Sequence, residues 1–304
     1  MSSTSILVIG SSNTDMVIKA DTFPGPGETI LGGQFFMFPG GKGANQAVAA
    51  SRLGGDVTFI AKIGNDIFGK QALQQFKKEG IRTDFIVADA EHPSGVALIT
   101  VDANGENTIV VAQGANGALT AEDVNKASSE FSRVAILLMQ LEIPIDTVTH
   151  AARLAKQAGK KVILNPAPAA VLPEALFKDL HIITPNRSET ETLTGVVIKD
   201  AASIETAAKR LKAKGVEHVI ITLGSEGAYL YNDQGGRHID TPTVKAVDTT
   251  AAGDVFNGAL AVALAEQMTL DEAVAFANRA AAISVTKMGA QASAPYRKEL
   301  MSIL

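Results

Sequence analysis

The sequence predicts an α/β protein: a mainly parallel central sheet with helices on both faces, and a small β-sheet lid. Three observations carry this. Short apolar runs alternate with amphipathic stretches through most of the 304 residues, as expected of buried parallel strands separated by helices. Two segments, 14–40 and 95–113, are β-rich, carry Pro/Gly or Asn-Gly turns and break that alternation. Polar residues cluster just after the apolar runs, beyond the strand ends where such sheets bind ligands. A single large domain over 1–304, with the two β-rich segments forming its lid, is expected.

The elements follow in order. "SILVIGSSNTD" (5–15) is a strand buried on both faces whose end opens on a site. "MVIKADTFPGPGETILGGQFFMF" (16–38) has β character and no helical period. "GGKGANQAVAASRLGG" (40–55) is a helix entered through glycines and closed by Gly54 and Gly55. A strand at "DVTFIAKIG" (56–64) and an amphipathic helix at "DIFGKQALQQFKKEG" (66–80) come next. "GVALITVDANGENTIVVAQ" (95–113) is a hairpin turning at Asp-Ala-Asn-Gly-Glu. The alternation then settles: a helix at 120–132, a strand at 134–141, a helix at 146–160, and strands at 161–168 and 181–186. Helices at 188–195 and 203–215 and a strand at 218–224 follow. A hairpin at 227–239 precedes two closing helices, 253–267 and 270–287.

Composition narrows the function. A 46% hydrophobic, 19% charged chain is ordinary for a globular protein. A net charge of -5 without a basic stripe argues against nucleic acid. The absence of cysteine excludes disulfides, thiolate metal sites and a cysteine nucleophile. His92, His150, His181, His218 and His238 are scattered without ligand-like spacing. The N-terminal "MSSTSILVIG" has no signal-peptide pattern, and no segment has the ~20 apolar residues of a membrane span. A cytoplasmic protein is expected.

The stretch "DTTAAGD" (248–254) sets two carboxylates around small residues just before an apolar helical run. Aspartate favours helix starts, so capping alone accounts for Asp254. The free N–H groups of that first turn, with the helix dipole behind them, also make an anion site. Comparable clusters end the other strands: Asn13 and Asp15, 40–45, Glu142, Asn186 and Glu189, and 222–227. Common nucleotide motifs are absent. Gly follows Lys42 where a Walker loop needs Ser or Thr, and no Gly-x-Gly-x-x-Gly or Gly-x-Ser-x-Gly follows a strand.

"GGKGANQAVAASRLGG" with "FIAKIG", and "DTTAAGDVFNGAL" some two hundred residues later, resemble the paired signatures of the ribokinase-like sugar kinases. "GSSNTD", "FPGPGET", "LNPAPA", "ITPNRSETE", "ITLGSEGAYL" and "GAQASAP" extend the likeness, in order, over nearly the whole chain. The resemblance implies transfer of the ATP γ-phosphoryl group to the 5-hydroxyl of ribose. Asp254 falls on the family's catalytic base and Gly253 on its anion hole. Asn13, Asp15, Gly41, Lys42, Gly43, Asn45 and Glu142 fall on the sugar site. Asn186, Thr222, Gly224, Ser225, Gly227, Gly253 and Asn278 fall on the nucleotide site, and Glu189 on an Asn-x-x-Glu element near Mg2+ and phosphate. Asp248, Thr250, Ser284, Lys287, Gly289 and Ser293 fall on loops that hold K+, largely through backbone carbonyls. The resemblance also implies a homodimer joined through the lid. Alternatives are a related kinase acting on deoxyribose, fructose or a nucleoside, and a non-enzymatic sugar-binding protein.

Overall fold

In the computed structural model, which describes residues 4–300, the first apolar run is strand β1 (Ser5–Ile9), buried throughout. The chain leaves it to form β2 (Asn13–Lys19) and β3 (Gln34–Gly40) of a separate sheet, then returns as helix α1 (Lys42–Arg52). Next come β4 (Asp56–Gly64), α2 (Ile67–Lys78), β5 (Ile86–Asp89) and the hairpin β6 (Gly95–Val101)–β7 (Asn107–Ala112). The alternating half contains α3 (Ala121–Asn125), α4 (Glu130–Arg133), β8 (Ile136–Met139), α5 (Ile145–Gln157), β9 (Lys161–Leu164) and α6 (Glu174–Phe177). It continues with β10 (Ile182–Ile183), α7 (Arg187–Thr194), α8 (Ala201–Ala213) and β11 (His218–Thr222). The hairpin β12 (Ala228–Asn232)–β13 (Gly235–Ile239), α9 (Ala252–Ala265), α10 (Leu270–Ser284), α11 (Ala290–Ser293) and α12 (Arg297–Leu300) complete the order.

The nine-stranded sheet runs β13-β12-β11-β10-β9-β8-β1-β4-β5, parallel except for the closing hairpin. Apolar side chains form one buried cluster on each face, with α1, α9 and α10 on one side and α5 and α8 on the other. Helix α9 is buried all round from Asp254 to Ala265, as its uniformly apolar sequence requires. It packs so tightly on α1 that a Cβ at Gly258 would stand 2.8 Å from both Ala49 Cβ and the Gln46 carbonyl. That approach brings Asn45 and Gln46 beside Asp254.

The second sheet, β3-β2-β6-β7, stands off the strand ends. Its register puts Asp15, Phe38, Ala97 and Val111 in one row, and Met37, Met16, Leu98 and Val110 in the next. Successive rows face opposite sides, so the three central rows, from Asp15 to Val17, give both faces apolar side chains apart from Asp15 itself, while Lys19, Gln34, Thr100, Asn107 and Thr108 lie in the end rows. Phe35, Leu98, Ile109 and Val110 are all more than half exposed.

Two local expectations change. The single helix expected over 120–132 divides into α3 and α4, because Lys126 to Ser129 form tight i→i−3 turns instead of continuing the helix. Asp254 does not cap α9. The N-cap position is Ala251, in the left-handed region at φ 60°, and Asp254 lies within the first turn.

Candidate active site

The glycines of 40–43 are dictated by close approach. A Cβ at Gly41 (φ 89°) would lie 2.6 Å from the Asn13 amide nitrogen, one at Gly43 2.5 Å from that of Ser11, and one at Gly40 inside the Asp15 carboxylate. The start of α1 is thereby pressed against the β1–β2 turn. Glu142, just beyond β8, locks the junction: its Oε2 accepts from the Ser11 hydroxyl (2.6 Å) and the Lys42 amide (2.9 Å). Asn13 is buried, with its Oδ1 accepting from Asn116 Nδ2 at 2.7 Å. Ser11 and Asn116 were not singled out in the sequence, since a serine and an asparagine in loops carry no signal by themselves.

Asp15, Lys42, Glu142 and Asp254 form one electrostatic cluster. Burial, then Glu142 and Asp254, push the Asp15 carboxyl up to about 6, against the pull of Lys42. Burial also pushes Asp254 up, opposed by Lys42 and by hydrogen bonds from Asn45 and Gln46. Burial works against the charge on Lys42, but Asp254, Glu142, Glu189 and Asp15 outweigh it and hold its pKa above the usual lysine range. The Asp254 oxygens are each held by an amide: Oδ2 by Asn45 Nδ2 at 2.9 Å and Oδ1 by Gln46 Nε2 at 3.1 Å. Asn45 Oδ1 is buried without a partner among the described residues, leaving an acceptor for a hydroxyl group. Five chain segments thus meet around one carboxylate.

Gly253 marks the boundary with a cleft of about 630 Å³. Of the nucleotide candidates, Asn186, Thr222, Gly224, Ser225, Gly227, Gly253 and Asn278 line it, and Glu189 does not. The N–H groups of Gly253 and Asp254 have no acceptor among the described residues. A Cβ at Gly253 would meet no protein atom, so nothing within the chain requires glycine there. Asn186 and Glu189 form a reciprocal capping box at the start of α7, with all four of their polar side-chain atoms engaged. Burial holds the Glu189 carboxyl above its ordinary range. Asn278 Nδ2 donates to the carbonyls of Ile239 and Asp240, anchoring the exit of β13 to α10. The apolar wall, Val244, Ala246, Phe256, Ala281 and Val285, was not legible in the sequence, because 241–247 has no period.

The candidate cation loops are also brought together. Asp248 accepts from the Thr250 amide (2.9 Å) and the Gly289 amide (2.8 Å), and burial is overcome by these bonds and the Thr250 hydroxyl to keep its carboxyl below the ordinary range. The hydroxyls of Ser284 and Ser293 donate to carbonyls of their own helices, and Lys287 pairs with Glu299. The Lys287 side chain is thereby excluded as a cation ligand, while the serine hydroxyls keep their lone pairs beside the main-chain oxygens.

One grouping lies at the other end of the sheet. The parallel register of β10 and β11 sets His181 beside His218, and with Glu217 their ligating atoms fall within 4.8 Å of one another. The linear spacing of the histidines had hidden this. Both Glu217 oxygens are already engaged, by Lys156 at 3.0 Å and His181 at 2.7 Å, so the group is an ion-pair knot and no part of the cleft.

Comparison with known proteins agrees with this geometry. The chain is 46% identical over 299 residues to the ribokinase of Haemophilus influenzae, covering 98% of each chain. It is 37% identical over 291 residues to a deoxyribokinase of Salmonella typhi, covering 95% of each. The structure of Arabidopsis thaliana ribokinase complexed with ribose and ATP superposes with a TM-score of 0.94 at 31% identity, covering 99% of this chain and 98% of that one. Residues 3–297 match the pfkB family of carbohydrate kinases, and the chain belongs to that family.

Proposed function

We propose that this protein is a cytoplasmic, homodimeric kinase that transfers the ATP γ-phosphoryl group to the 5-hydroxyl of D-ribose, giving ribose 5-phosphate. The observation that carries the reading is the position of Asp254: its carboxylate is held by Asn45 and Gln46 where the charged cluster meets the first turn of α9. Phosphoryl transfer asks a protein mainly for positioning and charge stabilisation. Asp254 takes the hydroxyl proton as the new P–O bond forms. The open N–H groups of Gly253 and Asp254, backed by the helix dipole, receive the charge on the transferring group. Asp15, Asn13, Asn45, Lys42 and Glu142 orient the sugar. The lid row containing Asp15 lowers over it and excludes water, and the opposite apolar face pairs with that of a second copy.

Mg2+ bound with the nucleotide would supply charge neutralisation between the phosphates. Both Glu189 oxygens are occupied by the capping box, so Glu189 fits a role of orienting that ion's water shell better than direct ligation. Carbonyls near Thr250, Ser284, Lys287, Gly289 and Ser293, with the ionised Asp248, suit a K+-sized cation that orders the approach to Gly253. Activity several-fold higher in potassium than in sodium or lithium salts at equal ionic strength is expected, and equal activity in all three removes the ion from the mechanism. A coupled ADP-release assay over ribose, 2-deoxyribose, fructose and adenosine tests the substrate. The similarity to a deoxyribokinase keeps 2-deoxyribose as the second reading, and a clear preference for it would replace ribose while leaving the chemistry intact.

A further inference from the structure

Behind Asp254 lies a closed ring of buried side chains. Gln46 Nε2 donates to Asp254 Oδ1 at 3.1 Å and to Asn165 Oδ1 at 3.2 Å. Asn165 Nδ2 donates to the Thr184 carbonyl (3.3 Å), the Thr184 hydroxyl to Asn257 Oδ1 (2.7 Å), and Asn257 Nδ2 to the Gly253 carbonyl (2.8 Å). Gly253 precedes Asp254 in the chain, so the ring closes on itself. Gln46, Asn165, Thr184 and Asn257 are all buried.

The polarity of this ring is forced. Asn165 must turn its NH2 toward the Thr184 carbonyl, which leaves Oδ1 facing Gln46. Asp254 presents only acceptors. Gln46 therefore offers both of its N–H groups, and its own Oε1 is left buried without a partner. An orphaned buried acceptor is costly, and an apolar side chain of similar volume would avoid it. The cost has a counterpart in what the two N–H groups hold in place.

We propose that Gln46 is a positioning residue for phosphoryl transfer: its amide fixes the Asp254 carboxylate, and the ring through Asn165, Thr184 and Asn257 couples that carboxylate to the first turn of α9. The base and the anion-binding N–H groups then hold one mutual geometry throughout the transfer. This rests on Asp254 being the base. Asp254 is also faced by Lys42 from α1, Glu142 from beyond β8, Asp15 from β2 and Glu189 from α7. Burial raises its pKa, while Lys42, Asn45 and Gln46 lower it. Loss of the Gln46 donor leaves the other groups in place and shifts the balance toward the protonated acid.

The test uses Gln46→Met and the near-isosteric Thr184→Val, which touches neither Asp254 nor the sugar cluster. For Gln46→Met, the acid limb of the kcat–pH profile should move up by about one unit, the size of one charge-assisted hydrogen bond. Its kcat should fall about tenfold or more, with the calorimetric Kd for ribose within about threefold of the parent. Thr184→Val should lower kcat about threefold with unchanged ribose Kd. A folded Gln46→Met with the parent's pH profile and kcat overturns the proposal. If that variant does not fold, parental kcat in Thr184→Val overturns it instead. Asp254→Asn, run alongside, separates the two readings. If it is inactive while both ring variants behave as the parent, only the ring fails. If it is fully active, the base assignment fails and the ring proposal with it.

Discussion

On one side of Gly253, Asp15, Lys42, Glu142 and Asp254 converge from four segments. Asp15, Lys42 and Asp254 carry displaced pKa values, and Glu142 and Asp254 are fixed by hydrogen bonds from neighbouring segments. On the other side, Arg187 is the only charged residue among the described residues that line the 630 Å³ cleft, and much of its wall comes from the largely exposed stretch 241–249. On the proposed assignment of sugar to the first half and nucleotide to the second, the difference follows from the ligands. A neutral polyhydroxyl molecule brings no charge, so it must be selected by fixed carboxylates and amides in a shielded place, where such groups are costly. A nucleotide brings its own charge and a flat apolar base, so backbone N–H groups, one helix dipole and a smooth wall are enough.

The sharpest break in this contrast is Asp254→Asn. The amide is nearly isosteric and the variant should fold, but it cannot accept the hydroxyl proton. A loss of about 10²–10⁴-fold in kcat is expected, with ribose affinity changed only modestly in calorimetry. Parental turnover would return Asp254 to a purely structural role.

Asp15 tests whether the charged half is built for selection. Its carboxylate is expected to accept from the ribose 2- and 3-hydroxyls, and a buried acceptor deprived of its donor is penalised. Ribose should exceed 2-deoxyribose by about one to two powers of ten in kcat/KM. Asp15→Ala should depress ribose strongly and 2-deoxyribose much less, narrowing the gap. Equal losses for both sugars would show that Asp15 serves the local structure of the sheet rather than recognition.

How much of this was legible in the chain follows the same division. The parallel sheet, the two segments that form the second sheet and the clusters at 40–45 and 248–254 were readable because the features that reveal them are local: apolar runs, glycines and acids a few residues apart. The ring behind Asp254 was not. Gln46, Asn165 and Thr184 have partners between 19 and 208 residues away, and amides inside helices or after strands look like ordinary polar residues. Gly258 gave no hint that it sets how closely α1 and α9 approach, and hence whether Gln46 reaches Asp254. Strand β10, two residues long, shows the opposite case: its burial was readable, while its length depends on neighbours.

Gly253 tests the nucleotide half. A Cβ there meets no protein atom, so Gly253→Ala should not lower the melting temperature. It should intrude on the incoming phosphates, raising the KM for ATP roughly tenfold, about 1.4 kcal/mol, with ribose Kd unchanged. An unchanged ATP KM would mean the phosphates do not approach the α9 turn.

The smallest expected effect is on stability, and it asks directly whether the charged half is costly. The Asp15 carboxyl rises from 3.8 to about 6 on folding, so between about pH 4 and 6 the native chain holds a proton that the unfolded chain has released. Stability supported by that proton is complete below about pH 4 and is lost as pH climbs through 6. A difference of about two units corresponds to at most about 3 kcal/mol, reduced by whatever solvent reaches the group. Asp15→Asn cannot ionise. Its melting temperature should match the parent near pH 4 and exceed it by a few degrees at pH 7.5, at about 1.5–2 °C per kcal/mol for a chain of this size. Asp254 and Glu189 are displaced in the same direction, so the variant retains some decline of its own, and the difference curve between variant and parent isolates Asp15. Ser225→Ala in the nucleotide cleft should show no such pH-dependent gain. If the Asp15→Asn and parent curves run parallel from pH 4 to 8, the buried charge is not the destabilising element, and the contrast between the two halves is one of shape alone.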